Sequence, residues 1–300
     1  SKHLEIINIA VDNKCHFLSS SYYDPLYEEF NSQFVKNKTL FMCEAGLDPG
    51  IDHLFAHKII NDFKISTKNK NITSINFKSM CGGFPHIPNE FKYKFSWSPL
   101  GVLKALNSRA KYIKNFKEKT LLKPYVSISN INFLHEKFEI YPNRDSLPYI
   151  KEYKLDNYLS LIDSFQRGTI RLNGWSKAWR DIFKMIDENK DIELLSSKLW
   201  DNNQYKSNER DRVLLYVSLI AKDDSNENIY GFSFNGIDSV LQSLYYFVVI
   251  IIELPILLFK SLFYLLEIKY LIILILISLF YVFLSDTNKY EKPITLKRNL

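Results

Sequence analysis

The run Gly46-Leu47-Asp48-Pro49-Gly50-Ile51-Asp52-His53 concentrates groups able to seat an anion or the edge of a cofactor. A glycine permits close backbone approach, Asp48 can cap a helix, and Pro49 presets its first turn. The amides exposed at such a helix end favour negative charge. The same residues also make a well-capped helix with no ligand, and taken alone they leave both readings open. His53 and His57 stand four residues apart and would share one helix face, as some metal ligands do. No third His, Cys or carboxylate is obviously paired with them, so no metal is expected. Cys15, Cys43 and Cys81 are spaced too widely and unevenly for a zinc signature or a disulfide framework, which makes a reducing compartment the default. Neither a nucleophile elbow nor a phosphate loop is present.

Short elements must position these groups. Leu4 to Val11 fits a helix or a buried strand, with helix the favoured reading. Cys15 to Ser21 reads as a strand ending in a Ser-rich turn, and Asp24-Pro25 caps a helix running through Phe34. Thr39 to Cys43 is a second short strand, followed by the Gly46 to Gly50 loop and another helix. Two apolar strands separated by a helix imply a parallel pair with a right-handed crossover, whose carboxyl ends are the usual ligand sites. Ile75, Phe77 and Ser79 then alternate with polar neighbours before a turn at Cys81-Gly82-Gly83. Phe91, Tyr93, Phe95 and Trp97 alternate in turn with Lys92, Lys94 and Ser96, so half-buried strands, mainly antiparallel, are expected in an open mixed sheet. Ser98-Pro99 should cap a helix through Tyr112, with Leu100, Leu103, Leu106 and Ala110 as its apolar stripe. Further strands are expected at Phe138 to Tyr141, Phe165 to Leu172 and Val213 to Ile220, and a helix from Ser176 to about Asp187.

The chain's 300 residues carry a net charge of +6, with 46% apolar and 24% charged content, ordinary for a globular protein. The basic residues are scattered among acids with no aromatic-interleaved stripe, so no nucleic-acid partner is expected. The apolar residues are not evenly spread. Leu241 to Leu284 is almost continuously apolar, interrupted by Glu253, Pro255, Lys260, Glu267 and Lys269. Two spans of about 20 residues would form a transmembrane hairpin, returning the basic Lys292 to Arg298 tail to the side of the globular part. That reading anchors the protein at the cytoplasmic face. The rival is a frame-shifted or non-coding translation of an A+T-rich gene. The sequence opens at Ser1 with no leader pattern, which suggests a fragment.

Several segments in order carry a specific resemblance. Gly46 to His53 (GLDPGIDH), Cys81 to Pro85 (CGGFP), Tyr93 to Pro99 (YKFSWSP), Tyr141 to Ser146 (YPNRDS) and Arg167 to Arg171 (RGTIR) are similar to segments of saccharopine dehydrogenases of the L-glutamate-forming type. Ser20-Ser21-Tyr22 and Asn208 to Asp211 (NERD) resemble two more. The resemblance implies an NADP-dependent oxidoreductase of lysine metabolism that interconverts saccharopine with L-glutamate and 2-aminoadipate semialdehyde by hydride transfer. It further implies that Arg144 and Thr169, Ile170 and Arg171 bind substrate carboxylates, with Ser21 and Tyr22 adding hydroxyl and backbone contacts; guanidinium forks suit carboxylates bidentately. Leu47, Asp48 and Pro49 would face the nicotinamide, Ser96, Trp97 and Ser98 would close on the cofactor, and Asp48, Tyr22 or Cys81 would assist proton movement at the amine. Each has a plainer alternative. Arg144 could pair with Asp145, Arg171 could snorkel from a sheet face, and Cys81 could be a small buried hydrophobe.

The organisation expected is a truncated Rossmann-like α/β unit over residues 1–48 and an α+β substrate domain over 49–235. An apolar helical tail over 236–285 and a basic polar tail over 286–300 would follow. None of the nine glycines forms the G-x-G-x-x-G turn that seats a dinucleotide pyrophosphate. A membrane-tethered binding protein that keeps the saccharopine-type pocket without turnover is therefore the alternative function.

Overall fold

The computed structural model describes residues 2–133, 135–224 and 227–237. The apolar stretch expected to form a membrane hairpin and the basic tail lie outside the described residues. Among the described residues, no helix is long and apolar enough to cross a membrane. The chain divides into two units, one through Gly50 and one from Ile51.

In the first unit, helix α1 (Lys2–Asp12) precedes β1 (Phe17–Leu18), a 3-10 turn (Pro25–Phe30) that runs into α2 (Asn31–Asn37), and β2 (Phe41–Met42). The strands pair in parallel, Phe17 opposite Phe41 and Leu18 opposite Met42, as the strand–helix–strand reading predicts. Asp24 caps the 3-10 turn by accepting from Leu26 N at 3.0 Å, with Pro25 at the first position. Lys38, at φ 54°, ends α2 in the left-handed region. Burial of Ile7, Phe17, Tyr27, Phe30 and Phe34 gives this unit its own core, and the Phe17 and Phe41 rings stack at 5.1 Å.

The second unit runs α3 (Ile51–Ser66), β3 (Ile72–Pro85), α4 (Pro99–Leu106), β4 (Ala110–Lys114), β5 (Lys117–Leu121), β6 (Ser129–Phe133) and β7 (Glu136–Pro142). It continues with α5 (Pro148–Glu152), β8 (Ile162–Leu172), α6 (Trp175–Ala178), α7 (Arg180–Asp187), α8 (Ile192–Asn203), β9 (Asp211–Asp223) and β10 (Glu227–Ile237). Its open sheet has the order β10-β9-β3-β8-β4-β5, and β7, itself paired with β6, joins β8 beyond β4. The sheet is open and mixed but mainly antiparallel, as the alternation suggests: the two central strands β3 and β8 pair in parallel while the other pairs are antiparallel.

Side chains alternate across this sheet. Met80, Phe84, Phe138, Ile140, Ile170, Leu172 and Leu214 form an apolar cluster on one face. On the other, Phe77 stacks on Phe165 at 4.7 Å beneath Tyr153, and an aromatic cluster that includes Tyr93, Phe95, Tyr141, Trp175 and Trp179 packs with α4, α7 and α8.

Three sequence expectations fail here for identifiable reasons, and one helix, α8, is not foreseen. Cys81-Gly82-Gly83 is no turn, since β3 runs straight through it. A Cβ on Gly82 would stand 2.1 Å from the Ile170 carbonyl oxygen, so the glycine serves close approach of neighbouring strands. The alternating Phe91 to Trp97 segment forms no ladder strand. Isolated bonds clamp it instead: Phe95 N donates to Asn203 O at 2.9 Å and Trp179 Nε1 to Phe91 O at 3.1 Å. Helix α4 stops at Leu106 rather than Tyr112, and Ala110 and Tyr112 belong to β4. The β4–β5 hairpin turns at Asn115-Phe116, where both residues hold positive φ without a glycine to announce it. Helix α8 falls where only a polar stretch is legible; Asp191 caps it and Leu195 and Leu199 are buried.

Phe77 is fully buried between Phe165 and Tyr153. Phe77→Ala is expected to lower stability by about 3–5 kcal/mol, read as a fall in the urea midpoint at unchanged slope.

Candidate functional site

In the first unit, the Gly46 to Gly50 loop is shaped by its glycines. Gly46 N donates to Pro49 O at 3.1 Å. Gly50 holds φ 143°, and a Cβ there would lie 2.2 Å from Gly46 O, so only glycine closes the loop. The Asp48-Pro49 peptide is cis. Helix α3 starts at Ile51, which leaves Asp48 short of the capping position, and its Oδ1 accepts from Tyr22 Oη at 2.8 Å. The structure thus joins two of the residues expected near the reacting amine. Ser21 is tied into the same turn, its carbonyl accepting from Glu44 N at 3.0 Å and its Oγ lying 3.3 Å from His3 Nε2. Leu47 is half-buried and Pro49 buried.

In the second unit, strand register gathers the remaining candidates. Cys81 on β3 and Tyr141 on β7 both pair with Thr169 on β8, so the three form one row across the sheet. Two residues further along the same face of β8 stands Arg171, opposite Glu139; two residues back stands Arg167, opposite Ser79. Ile170 faces the other way, into the opposite apolar cluster, and can offer only its backbone. Burial pushes the Tyr141 phenol above its ordinary range, opposed by the Arg171 charge and a hydrogen bond with Thr169. The phenol therefore keeps its proton at neutral pH.

Arg171 is 6% exposed. Its guanidinium carbon lies 4.8 Å from the Tyr93 ring centre, 5.4 Å from Trp175 and 5.7 Å from Tyr141. Nη1 donates to the Ile170 carbonyl at 3.2 Å, and Nε is buried with no hydrogen-bond partner. Its cross-strand neighbour Glu139 is engaged elsewhere, accepting from Gly174 N at 2.9 Å and Ser176 N at 2.7 Å. A buried guanidinium held among aromatic rings, without a carboxylate partner among the described residues, has the chemistry of an anion receptor.

Arg144 is exposed at φ 57° in the loop after β7. The loop is fixed on both sides: Lys111 N donates to Arg144 O at 2.8 Å, Ser146 N to Lys111 O at 2.8 Å, and Asn143 N to Arg167 O at 3.0 Å. Asp145 pairs with Lys111 at 3.4 Å. Because Asn143 is bonded beside Arg167, the backbone of the Arg144 loop lies about 13 Å along β8 from Arg171, four residues at roughly 3.3 Å each. Ser96, Trp97 and Ser98 lie apart from that row, exposed before α4; Ser98 Oγ accepts from Gly101 N at 3.3 Å and Trp97 lies over Gly101.

Sequence reading overlooked the residues that brace this face. Asp52, fully buried in the first turn of α3, accepts from Arg167 Nη2 at 2.7 Å, and the Arg167 guanidinium lies 4.0 Å over the Tyr149 ring. His53 Nδ1 is 2.7 Å from Tyr153 Oη, and its ring stacks on Tyr149 at 5.3 Å. His57 meets the Tyr153 ring edge-on, and burial lowers its pKa. Both Asp52 and Arg167 sit inside the singled-out segments; only their separation of more than a hundred residues hid the pairing. Asp52→Ala is expected to cost about 3–5 kcal/mol by leaving Arg167 charged and buried. The double variant Asp52→Leu with Arg167→Met should recover most of that loss in chemical denaturation.

With this geometry in view, comparison with known proteins is specific. Residues 46–246 match the model of the saccharopine dehydrogenase C-terminal domain. The chain is 32% identical over 260 residues to saccharopine dehydrogenase [NADP(+), L-glutamate-forming] of Saccharomyces cerevisiae, covering 79% of this chain and 55% of that protein. It is 35% identical over 195 residues to the Pyricularia oryzae protein of the same name, covering 62% and 42%. It is 32% identical over 190 residues to the mitochondrial alpha-aminoadipic semialdehyde synthase of Rattus norvegicus, covering 61% and 20%. The chain thus spans about half the length of the yeast relative and a fifth of the rat one. In fold it is similar to the solved apo saccharopine dehydrogenase (L-Glu forming) of Saccharomyces cerevisiae, with a TM-score of 0.66 at 24% identity over 84% of this chain and 73% of that one.

Proposed function

We propose a function from one premise: this chain belongs to the saccharopine dehydrogenase C-terminal domain family. It acts in lysine metabolism as an NADP-dependent oxidoreductase, interconverting saccharopine with L-glutamate and 2-aminoadipate semialdehyde. The observation that carries this reading is Arg171, a buried guanidinium with an unpartnered Nε and no acidic partner among the described residues.

Saccharopine joins two amino acids through one secondary amine and so carries carboxylates at both ends. A guanidinium fork at Arg171 and a second at Arg144, on backbone about 13 Å apart, suit an elongated anion held at two points. Thr169 and Tyr141 add hydroxyl groups in the row beside Arg171. In the first unit, taken by itself, the Tyr22 phenol donates to Asp48, a pair able to take and return a proton.

The Gly46 to Gly50 loop is the part of the first unit that would face the nicotinamide end of NADP. Gly46 and Gly50 close the loop tightly on its own backbone, with Leu47 half-buried within it. When bound, the cofactor supplies the hydride acceptor. A second reading is a binding protein that holds saccharopine without turnover.

Calorimetry with saccharopine and reduced-nicotinamide absorbance after adding NADP test both readings. Binding with turnover is expected of the enzyme, and binding alone of the second reading. Arg171→Ala should weaken binding on the order of 10²-fold. Absence of saccharopine binding by the folded wild-type protein would sink both.

A further inference from the structure

Four tryptophans occur in the chain, and two of them, Trp175 and Trp179, are fully buried. Trp179 Nε1 donates to the Phe91 carbonyl at 3.1 Å, whereas Trp175 Nε1 is buried without any hydrogen-bond partner. Native structures rarely leave a buried donor unmatched, and a bound ligand is one way such a donor is completed. The guanidinium carbon of Arg171, whose Nε is likewise unmatched, lies over the Trp175 ring at 5.4 Å from its centre.

Trp175 is also held in place more firmly than core packing alone requires. Its two flanking amides, Gly174 N and Ser176 N, both donate to the Glu139 carboxylate, and Glu139 is the cross-strand neighbour of Arg171. The ring stacks on Tyr141 at 5.3 Å with 17° between planes. A single buried acid thus fixes Trp175 relative to Arg171 while its oxygens are taken up by backbone amides.

We propose that the Trp175 indole N–H is a second donor to the same carboxylate that Arg171 grips, making Trp175 a specificity-determining residue of the site. A carboxylate has two oxygens, so one can accept from the Arg171 Nε and the other from the indole, satisfying two buried donors with one group. A neutral carbonyl would match the indole but leave the guanidinium charge uncompensated. The inference rests on the assignment of Arg171 to substrate.

Two measurements on the full chain separate the possibilities. Trp175→Phe keeps an aromatic face while removing the donor together with part of the ring; it is expected to raise the saccharopine Kd about tenfold, or about 1.4 kcal/mol, with the Arg171→Ala effect larger. In nitrogen-15-labelled wild-type protein, the indole resonance missing from Trp175→Phe should move downfield on saccharopine addition, while that of Trp179 stays in place. This second readout is taken on the wild-type protein, and the variant serves only to assign the resonance. Should saccharopine bind in an Arg171-dependent way while the Trp175 resonance and the variant's affinity stay unchanged, the inference is overturned and the functional reading stands. Should saccharopine not bind at all, the functional reading fails, and the same titration with L-glutamate decides the inference alone: a moving Trp175 resonance supports it, a stationary one overturns it.

Discussion

The register of β8 against β3 and β7 is the constraint on which the rest of the second unit depends. Residues on a strand alternate between faces, so a slip of one position would carry Arg167, Thr169 and Arg171 into the apolar cluster and bring Gly168, Ile170 and Leu172 out of it. That slip would bury three polar side chains without partners while uncovering Ile170 and Leu172. The close approach at Gly82, where a Cβ would meet the Ile170 carbonyl, and at Gly168, where one would lie 2.5 Å from the Tyr141 carbonyl, holds the three strands to this pairing. Glycine here is a register device rather than a turn signal.

Given that register, two buried guanidinium groups on one strand meet different fates. Arg167 is matched by Asp52 and roofed by Tyr149, an arrangement that ties α3 to β8. Arg171, four residues on, has aromatic rings where an acid would otherwise stand, and the acid opposite it is committed to the amides around Trp175. Burying a charge is costly unless it is compensated. A scaffold that gives one an acid and the other only aromatic faces, the Ile170 carbonyl and the Tyr141 hydroxyl separates a structural charge from a receptive one. The same logic explains the neutral phenol of Tyr141: burial outweighs the stabilising influence of Arg171, so it can donate without itself adding charge.

Much of this was legible in the chain and some of it was not. Asp24-Pro25 and Ser98-Pro99 announced helix starts that the structure keeps, because capping is decided by neighbouring residues. The strand–helix–strand order of the first unit likewise implied the parallel pairing of Phe17 with Phe41. Local signals misled where two structures shared one pattern. Alternating Phe91, Tyr93 and Phe95 look like a ladder strand, yet their aromatic faces are buried by Trp179 and helix packing. Ala110 suited a helix stripe by spacing and a strand by burial, and the glycine-free Asn115-Phe116 turn concealed the hairpin that decides between them.

By itself, the sequence determined the kinds of group available and their order: the glycine-bounded Asp48 loop, the arginines of the YPNRDS and RGTIR segments, and the caps that start several helices. Which of those groups would be compensated was decided only by tertiary structure. Asp52 and Arg167, or Glu139 and the amides about Trp175, lie too far apart in the chain for any local preference to pair them. A charge's partner depends on which strands become neighbours and in what register, and that is settled by burial of the apolar faces as a whole.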